Sequence, residues 1–300
     1  MVIDIKNEIE QNYNIKIKKI YSNKKDKYFF INDKKVYIKN IDSEQEKIIN
    51  ELVNFTNELY MKKKNTETFL INVHGKYVME YKKKKIALLI SNYAENIELN
   101  FNDIQSQLNE KLNMGLTKYN IYKEWVKSID DFEMKIIEYN KEFPKIMKYA
   151  NYYIGLAENA IQLLEETEYN EEKNNYFGHL ISENEYSYKN YTNPFSYIKT
   201  TRLYDVANYF KYKFYVDNID YEELERVKKI IENENDKKIF LSLIIYPSEV
   251  IERMKKIMSL ELEENKLYAY LKKIKRLEEF IVYIQNNILE VKYIKWLEEQ

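Results

Sequence analysis

Short runs of alternating or continuous apolar residues dominate the first third of the chain. Apolar and charged residues alternate over 15–20, a pattern typical of a half-buried strand. The apolar runs 28–31 and 36–38 flank the pair Asn32-Asp33, and this arrangement predicts a hairpin turn between two strands. Three further apolar runs predict strands, at 69–73, 77–79 and 86–90.

A single helix is predicted among these strands. Ser43 and Glu46 have the spacing of a capping box, in which each side chain accepts a hydrogen bond from the other residue's backbone amide. The apolar residues that follow recur at helical spacing. They are Ile48, Ile49, Leu52, Val53, Phe55 and Leu59. Residues 1–92 are therefore predicted to form a small sheet with one helix packed on it.

Helical periodicity takes over from about residue 100. Apolar stripes run through 116–136 and 153–164, and Asp220 with Glu223 has a second capping-box pattern. Pro247 suits the first turn of a further helix. The inward residues of that helix are Val250, Ile251, Met254 and Ile257. Residues 267–288 keep apolar side chains on one face, which predicts a long amphipathic helix that packs on its own domain or docks a partner.

These patterns together predict an α+β protein made of two lobes. The N-lobe, residues 1–92, is an antiparallel sheet plus one helix, and the C-lobe, residues 93–300, is helical. Only four glycines occur and no Gly/Ser-rich linker separates the halves, so we expect the lobes to pack against each other.

The composition argues against several classes of site. The 48 Lys and Arg residues balance 49 Asp and Glu residues, a net charge of −1, whereas nucleic-acid-binding proteins need a basic surplus. The chain has no cysteine, so it has no disulfide and no thiolate metal site. Its two histidines, His74 and His179, are too few for a histidine metal cluster. We therefore expect no nucleic-acid partner and no metal site.

The chain also lacks the signals of membrane insertion or export. No apolar stretch approaches the roughly 20 residues of a membrane-spanning helix. Residues 1–10 are charged and lack the apolar core of a signal peptide, so we expect a cytoplasmic protein. The 30 tyrosines are spread along the whole chain, which is typical of an A+T-rich genome rather than of a stacking surface for bases or sugars.

Charge is divided unevenly between the lobes. Residues 1–92 carry 19 Lys and Arg against 12 Asp and Glu, a net charge of +7, which leaves −8 for residues 93–300. The lysine runs 62–64 and 82–85 supply much of the basic surplus. Each run is interpreted either as a solvated loop or as a site for an anionic partner.

One strand resembles a nucleotide-binding strand of kinases. Val36-Tyr37-Ile38-Lys39 resembles the V-A-I-K pattern, in which the lysine holds nucleotide phosphates and pairs with a helix glutamate. The predicted helix offers Glu51 or Glu58 as that partner. Lys39 is therefore either a remnant phosphate ligand or an ordinary solvent-facing lysine of a strand.

Further stretches are similar, in the right order, to motifs of the bacterial spore-coat proteins of the CotS and YutH type, in the aminoglycoside-phosphotransferase branch of kinase-like folds. Residues 69–81 resemble their hairpin, and 93–100 resemble their hinge segment. Residues 193–198 and 202–209 resemble the region of their Arg-x-x-Asp helix, and 243–247 a late motif that ends in Tyr-Pro. The resemblance implies a protein-kinase-like two-lobed fold.

The parts of a phosphotransferase site that the resemblance implies are incomplete. Phosphoryl transfer needs a phosphate cradle, metal-binding carboxylates and a group that orients the acceptor. The loop 21–27, in the cradle position, has no glycine. The catalytic loop of that branch reads His-Gly-Asp with an asparagine about five residues on, and its candidate here is 178–181 with Asn184. The aspartate is missing, because Leu180 and Ile181 cannot take a proton.

Few candidate chemical groups remain in this region. His179 is interpreted as an interior histidine or as the base, and Glu183 as a replacement acid from a shifted loop. The segment 197–201, where the metal-binding aspartate is expected, has no carboxylate. Asp205 of the Arg-x-x-Asp motif is structural in the resembling family, and we expect it to bond backbone amides or to pair with Arg202.

Three hypotheses remain open. The first is a non-catalytic, kinase-like spore-coat or sporulation-associated protein without a cofactor, assembled with other spore-coat proteins from the mother-cell cytoplasm. The second is an active small-molecule phosphotransferase that uses Mg-ATP, with Lys39 on phosphate and Glu183 or Asp205 as displaced acidic groups. The third is a helical scaffold whose C-terminal segment docks a partner.

Overall fold

The computed structural model describes residues 5–23, 26–91, 98–111, 119–139, 142–167, 175–181 and 186–297. The strands of the small lobe are β1 (Tyr21–Ser22), β2 (Lys27–Ile31), β3 (Lys34–Ile41), β4 (Glu67–Phe69), β5 (Val78–Tyr81) and β6 (Lys84–Ser91). They pair antiparallel in the order β1-β2-β3-β6-β4, and β5 also pairs with β6. The helices of this lobe are α1 (Ile5–Tyr13) and α2 (Ser43–Met61), so the prediction of a single helix here was wrong.

The sheet separates two apolar clusters because successive strand residues point to opposite faces. Val36 and Ile38 of β3 pack with α1 on one face. Tyr37 and Ile41 pack with α2 on the other face, together with residues of the large lobe. By the same alternation Lys39 lies on the α2 face, towards the large lobe. The predicted turn at Asn32-Asp33 is confirmed.

Helix α2 begins one residue earlier than the capping-box pattern indicated. Its N-cap is Asp42, whose carboxylate accepts hydrogen bonds from the amides of Glu44 and Gln45. In return, the Gln45 side-chain oxygen accepts a hydrogen bond from the backbone amide of Asp42. The assignment of Ser43 as N-cap was therefore wrong, since the preceding aspartate offers a charged acceptor at the same helix end.

Two predicted strands were wrong. Residues 15–20 have no ladder partner, and the amide of Ile17 is bound instead by the Glu10 side chain at 2.6 Å. Residues 70–73 lead into a turn rather than extending β4. The side-chain carbonyl oxygen of Asn72 accepts hydrogen bonds from the backbone amides of His74 and Lys76. These bonds close a turn around Gly75, whose φ is 72°.

The large lobe is mostly helical. Its helices are α3 (Phe101–Gln107), α4 (Ile121–Tyr139), α5 (Pro144–Glu165), α6 (Tyr188–Tyr191), α7 (Tyr204–Tyr215), α8 (Tyr221–Glu225), α9 (Glu234–Ile245), α10 (Ser248–Met258), α11 (Tyr268–Leu271) and α12 (Ile274–Tyr283). A two-stranded antiparallel sheet, β7 (Tyr176–His179) with β8 (Tyr197–Thr200), lies on the side that meets the small lobe. The core of the lobe is one continuous apolar cluster.

The C-terminal segment differs from the long amphipathic helix predicted over 267–288. It is divided into α11, α12 and a π-helical turn, Ile284–Leu289. Its apolar face is buried in the core of the large lobe. These residues are Leu277, Phe280, Ile281, Ile284 and Ile288. The segment therefore packs on its own lobe.

The lobe boundary predicted between residues 92 and 93 lies outside the described residues, because 92–97 are not described. Most of the hinge-like stretch 93–100 lies outside them as well. None of the helices in the described part of the chain has the length and apolar character needed to cross a bilayer.

Candidate functional site

Lys39 is held by a carboxylate from the loop between the first two strands. Its ammonium lies 3.1 Å from Oδ1 of Asp26, directly before β2. The other carboxylate oxygen of Asp26 binds the ammonium of Lys189, which α6 of the large lobe provides. The Asp26 side chain is 7% exposed, so one buried carboxylate joins a lysine from each lobe.

Tyr37 forms the floor of this arrangement. It precedes Lys39 by two residues on β3 and therefore shares its face of the sheet. The ammonium of Lys39 lies 5.2 Å from the centroid of the Tyr37 ring, and that of Lys189 lies 5.0 Å from it. Because an aromatic face attracts cations, the ring favours the approach of the two like charges around Asp26.

Two opposing effects act on the pKa of Asp26. Burial raises it, but the hydrogen bonds and positive charges of Lys189 and Lys39 together outweigh burial and lower the pKa below its usual value. The carboxylate is therefore ionised at neutral pH, and the cluster of Asp26, Lys39 and Lys189 carries a net charge of +1. We call these three residues the Asp26 clamp.

The lowered pKa of Asp26 predicts a pH dependence of stability. A depressed carboxyl pKa stabilises the fold above the unfolded-state pKa of about 3.9, and this contribution is lost as pH falls through the folded-state pKa. We expect the stability difference between the wild type and Asp26→Asn to be constant from pH 7 to about pH 5 and to shrink below about pH 4. Urea denaturation of both proteins at each pH measures it; a difference that grows on acidification contradicts the clamp.

Aromatic side chains from the large lobe fill the space beneath the small-lobe sheet. Phe177 of β7 lies 5.0 Å from Phe55 of α2, ring centroid to ring centroid, and 4.7 Å from Tyr197 of β8. Phe177 and Tyr197 are 4% and 5% exposed. They belong to the same apolar cluster as Tyr37 and Ile41 of β3. The face that carries Lys39 is thus covered by packed rings.

Buried hydrogen bonds hold the lobes in this position. The Tyr197 hydroxyl lies 2.7 Å from the hydroxyl of Thr66 and also donates to the carbonyl of Thr192 at 3.2 Å. The amide of Glu67, the first residue of β4, donates to the same Thr192 carbonyl at 2.9 Å. Buried polar groups need such partners, and here each lobe supplies partners for the other.

His179 ends β7 in a closed, aromatic environment. Its ring is stacked on Tyr191 at a centroid distance of 3.9 Å and is 4.5 Å from the ring of Phe177. Its Nε2 is buried and has no hydrogen-bond partner among the described residues. Burial keeps the pKa of Tyr191 far above its ordinary value, so that phenol stays neutral. A ring enclosed in this way cannot reach a substrate from Nε2.

Asp205, at the start of α7, positions His179. Its Oδ1 accepts the backbone amide of His179 at 3.0 Å, and its Oδ2 lies 2.7 Å from the ring Nδ1. The expectation that Asp205 binds backbone amides is confirmed. Arg202 does not pair with Asp205 and instead binds Glu232 and Asp236 at 2.7 and 2.5 Å.

The residues beyond His179 offer no acid in the described part of the loop. Leu180 is 51% exposed, and Ile181 is half-buried against the large-lobe core. On the facing strand β8, the side chains are Tyr197, Ile198, Lys199 and Thr200. Among the described residues, no group of three or more His, Cys, Asp or Glu side chains has a geometry that holds a metal ion. Within the described ranges, β7 and β8 therefore bring no group of carboxylates together beside His179.

The described contacts of the Asp26 clamp include none of the remaining sequence candidates. Glu51 is half-buried on α2, but among the described residues the carboxylate paired with Lys39 is that of Asp26. Glu58 is exposed and pairs with Lys62 at 2.8 Å. Glu183, together with Asn184, lies outside the described residues.

The comparison with protein families identifies the chain. The family model described as spore coat putative kinase YutH matches residues 6–281. The chain belongs to this family. The resemblance to spore-coat proteins of the CotS and YutH type is thereby confirmed, on a match that spans both lobes of this YutH-family protein.

Solved structures show the same fold. An aminoglycoside phosphotransferase from Alicyclobacillus acidocaldarius is similar with a TM-score of 0.71 at 10% identity, covering 97% of this chain and 98% of that chain. A spectinomycin phosphotransferase solved with ADP and spectinomycin has a TM-score of 0.59 at 12% identity, covering 99% and 100%. The predicted kinase-like two-lobed fold is confirmed. A search of curated protein sequences finds no significant match.

Sequence reasoning missed the central residue of this YutH-family site. Asp26 stands in the glycine-free loop that the sequence assigns to the phosphate cradle, and it is separated from Lys189 by 163 residues. The available signal was a single acidic residue in a lysine-rich loop facing a strand lysine. The same reasoning found no acidic partner for His179, because Asp205 lies 26 residues further along the chain.

Proposed function

We propose that this YutH-family protein is a non-catalytic, kinase-like spore-coat or sporulation-associated protein that acts by binding or assembly. One observation carries the proposal: the lysine in the nucleotide-lysine position is neutralised by the chain's own Asp26, which also binds Lys189 of the opposite lobe. An anionic ligand at Lys39 would have to displace a buried carboxylate that two ammonium groups hold.

The acceptor side of the cleft supports the same proposal. Ile181 stands two residues after His179, where the resemblance implies the catalytic aspartate, and an alkyl side chain cannot orient or deprotonate a hydroxyl. His179 is enclosed by aromatic rings and bound to Asp205. A protein with this cleft retains the shape of a kinase and a rigid surface for partners. We expect it to act in the mother cell and on the spore coat.

A titration with Mg-ATP tests the proposal. A ligand present at 100 times its Kd stabilises the folded state by about 2.7 kcal/mol, which a thermal melt detects easily. We expect no shift of the melting temperature at millimolar Mg-ATP and no ATP turnover. Turnover by the wild type that Lys39→Ala abolishes would establish an active phosphotransferase, the alternative function, and would overturn the proposal.

The Asp26 clamp itself predicts a gain of anion binding. Asp26→Asn removes the internal anion and leaves the ammonium groups of Lys39 and Lys189 unneutralised over Tyr37. We expect this variant to bind pyrophosphate or ATP about tenfold more tightly than the wild type, since one charge-assisted bond is worth about 1.4 kcal/mol or more.

Asp33→Asn is the matched control for this titration, because it makes the same chemical change at an exposed hairpin turn where asparagine is equally suited. Isothermal calorimetry of the three proteins gives the affinities. Equal anion affinity for Asp26→Asn and Asp33→Asn would show that the clamp does not occupy an anion site.

A further inference from the structure

A groove on the large lobe combines an apolar floor with an acidic rim. It lies between the start of α5 and the segment after α10, and has a volume of about 480 Å³. Its apolar residues are Phe143, Pro144, Ile257, Leu260 and Leu262. Its acidic residues are Glu142, Glu261, Glu263 and Glu264, and Lys145 pairs with Glu264 at 3.2 Å. We call it the acidic groove.

Leu260 in the acidic groove has an unusual conformation. It follows the C-terminus of α10 with φ 60°, in the left-handed region where glycine or asparagine is the usual residue. The residue is 84% exposed. A leucine at this position costs backbone strain and leaves apolar surface in water. A partner that covers the side chain removes the second of these costs.

The small lobe carries a complementary feature, the turn of the β5–β6 hairpin. Lys82 and Lys83 form this two-residue turn, with φ 49° and 64°, where Asn-Gly is the favoured pair. The β2–β3 turn, which also has positive φ at both turn residues, uses Asn32 and Asp33. The geometry of the β5–β6 turn therefore does not favour the lysines that occupy it. With Lys84 they form what we call the basic tip.

The lysines of the basic tip are exposed, and the ammonium of Lys82 lies 5.1 Å from the centroid of the Tyr81 ring. No ion pair between described residues involves Lys82, Lys83 or Lys84, whereas Lys85 pairs with Glu46 of α2. The rim residues Glu261 and Glu263 are likewise exposed and form no ion pair within the described part of the chain. The basic tip belongs to the lobe of net charge +7 and the acidic groove to the lobe of −8.

We infer that the acidic groove receives the basic tip of a second copy of this chain. The lysine stems would lie on Leu260 and Phe143, and their ammonium groups would meet the glutamates of the rim, as long cationic side chains do at apolar surfaces with charged edges. The contact joins two different surfaces, so it repeats from copy to copy and builds an open chain unless the rotation closes a ring.

This inference names the partner in the proposed assembly role and rests on that proposed function for its biological use. The physical contact is tested separately from that function. A wild type that stays monomeric would contradict the inference alone, and Lys39-dependent ATP turnover would contradict the proposed function alone.

Sedimentation velocity of the full chain over about 1–200 µM tests the contact at low and high salt, since exposed charge pairs are screened as ionic strength rises. We expect assemblies larger than dimers that dissociate at high salt. Lys82→Glu with Lys83→Glu, or Glu261→Lys with Glu263→Lys, should each weaken association at least tenfold. An equimolar mixture of these two double variants should associate again, because each reversed surface then meets a complementary one.

Two further variants separate association from folding. Lys16→Glu with Lys18→Glu makes the same charge change at exposed positions of the same lobe and should leave association unchanged. Leu260→Gly relieves the left-handed strain while removing the apolar contact, so it should raise the melting temperature and still weaken association. Any of three results would overturn the inference: a monomeric wild type at every concentration, wild-type association by the reversed variants, or no recovery on mixing them.

Discussion

Replacing Asp205 with alanine is expected to lower the free energy of unfolding by about 3–5 kcal/mol. The carboxylate is buried and binds both the backbone amide and the ring Nδ1 of His179. Its removal leaves a buried amide and a buried imidazole without their acceptor, and each orphaned group carries a desolvation penalty. Urea denaturation of the wild type and Asp205→Ala measures the difference.

The conservative variant Asp205→Asn keeps one acceptor oxygen, so its free energy of unfolding should fall by less, about 1–2 kcal/mol. Asp131→Ala, at an exposed position of α4, is the matched control and should change stability by no more than about 0.5 kcal/mol. If Asp205→Ala proved as stable as Asp131→Ala, the carboxylate would have no part in holding β7 to α7, and the structural role assigned to the His179–Asp205 pair would be wrong.

The second large effect is expected for Phe177→Ala, which should lower the free energy of unfolding by about 3–5 kcal/mol. The ring belongs to the large lobe but packs against Phe55 of α2 and against Tyr197 and His179. Truncation removes buried area from both lobes at once and leaves a cavity at their junction. We expect the denaturation midpoint to fall and the transition to broaden, because the contact that couples the two lobes is weakened.

Phe30→Ala is the control for this variant. Phe30 also lies on a strand, β2, and also contacts other aromatic rings, but it is 39% exposed. Its truncation should cost about 1 kcal/mol or less, since little area is withdrawn from water at that position. Equal losses for Phe177→Ala and Phe30→Ala would show that the junction of the lobes is not a packed core.

The contacts that join the lobes lie on the face of the small-lobe sheet that carries Lys39. The rings that couple the lobes occupy the face on which Lys39 lies, and the Asp26 clamp joins the two lobes there. In the aminoglycoside-phosphotransferase branch that this chain resembles, such a cleft has the opposite requirement, because a nucleotide and metal ions must enter it. In this protein the described residues fill that face with packed side chains and the ion pair of Asp26 and Lys39.

Much of the small lobe followed from local pattern. The apolar runs 28–31 and 36–38 predicted two strands, and Asn32-Asp33 marked the turn between them. The strand over 15–20 failed because alternation cannot reveal whether a ladder partner exists, and here Glu10 satisfied the Ile17 amide instead. The long helix over 267–288 failed for a related reason: its apolar spacing was correct, but the backbone breaks between α11 and α12 were not visible in it.

The sequence by itself determined the order of most elements, the absence of a carboxylate in 197–201 and the uneven charge of the lobes. It left the side of the sheet on which Lys39 lies undecided. Only the tertiary structure decided which charges meet. Asp26 joins Lys39 at a separation of 13 residues and Lys189 at 163, and His179 meets Asp205 across 26. Such pairings depend on how the lobes pack, and packing is a property of the whole chain that no local period records.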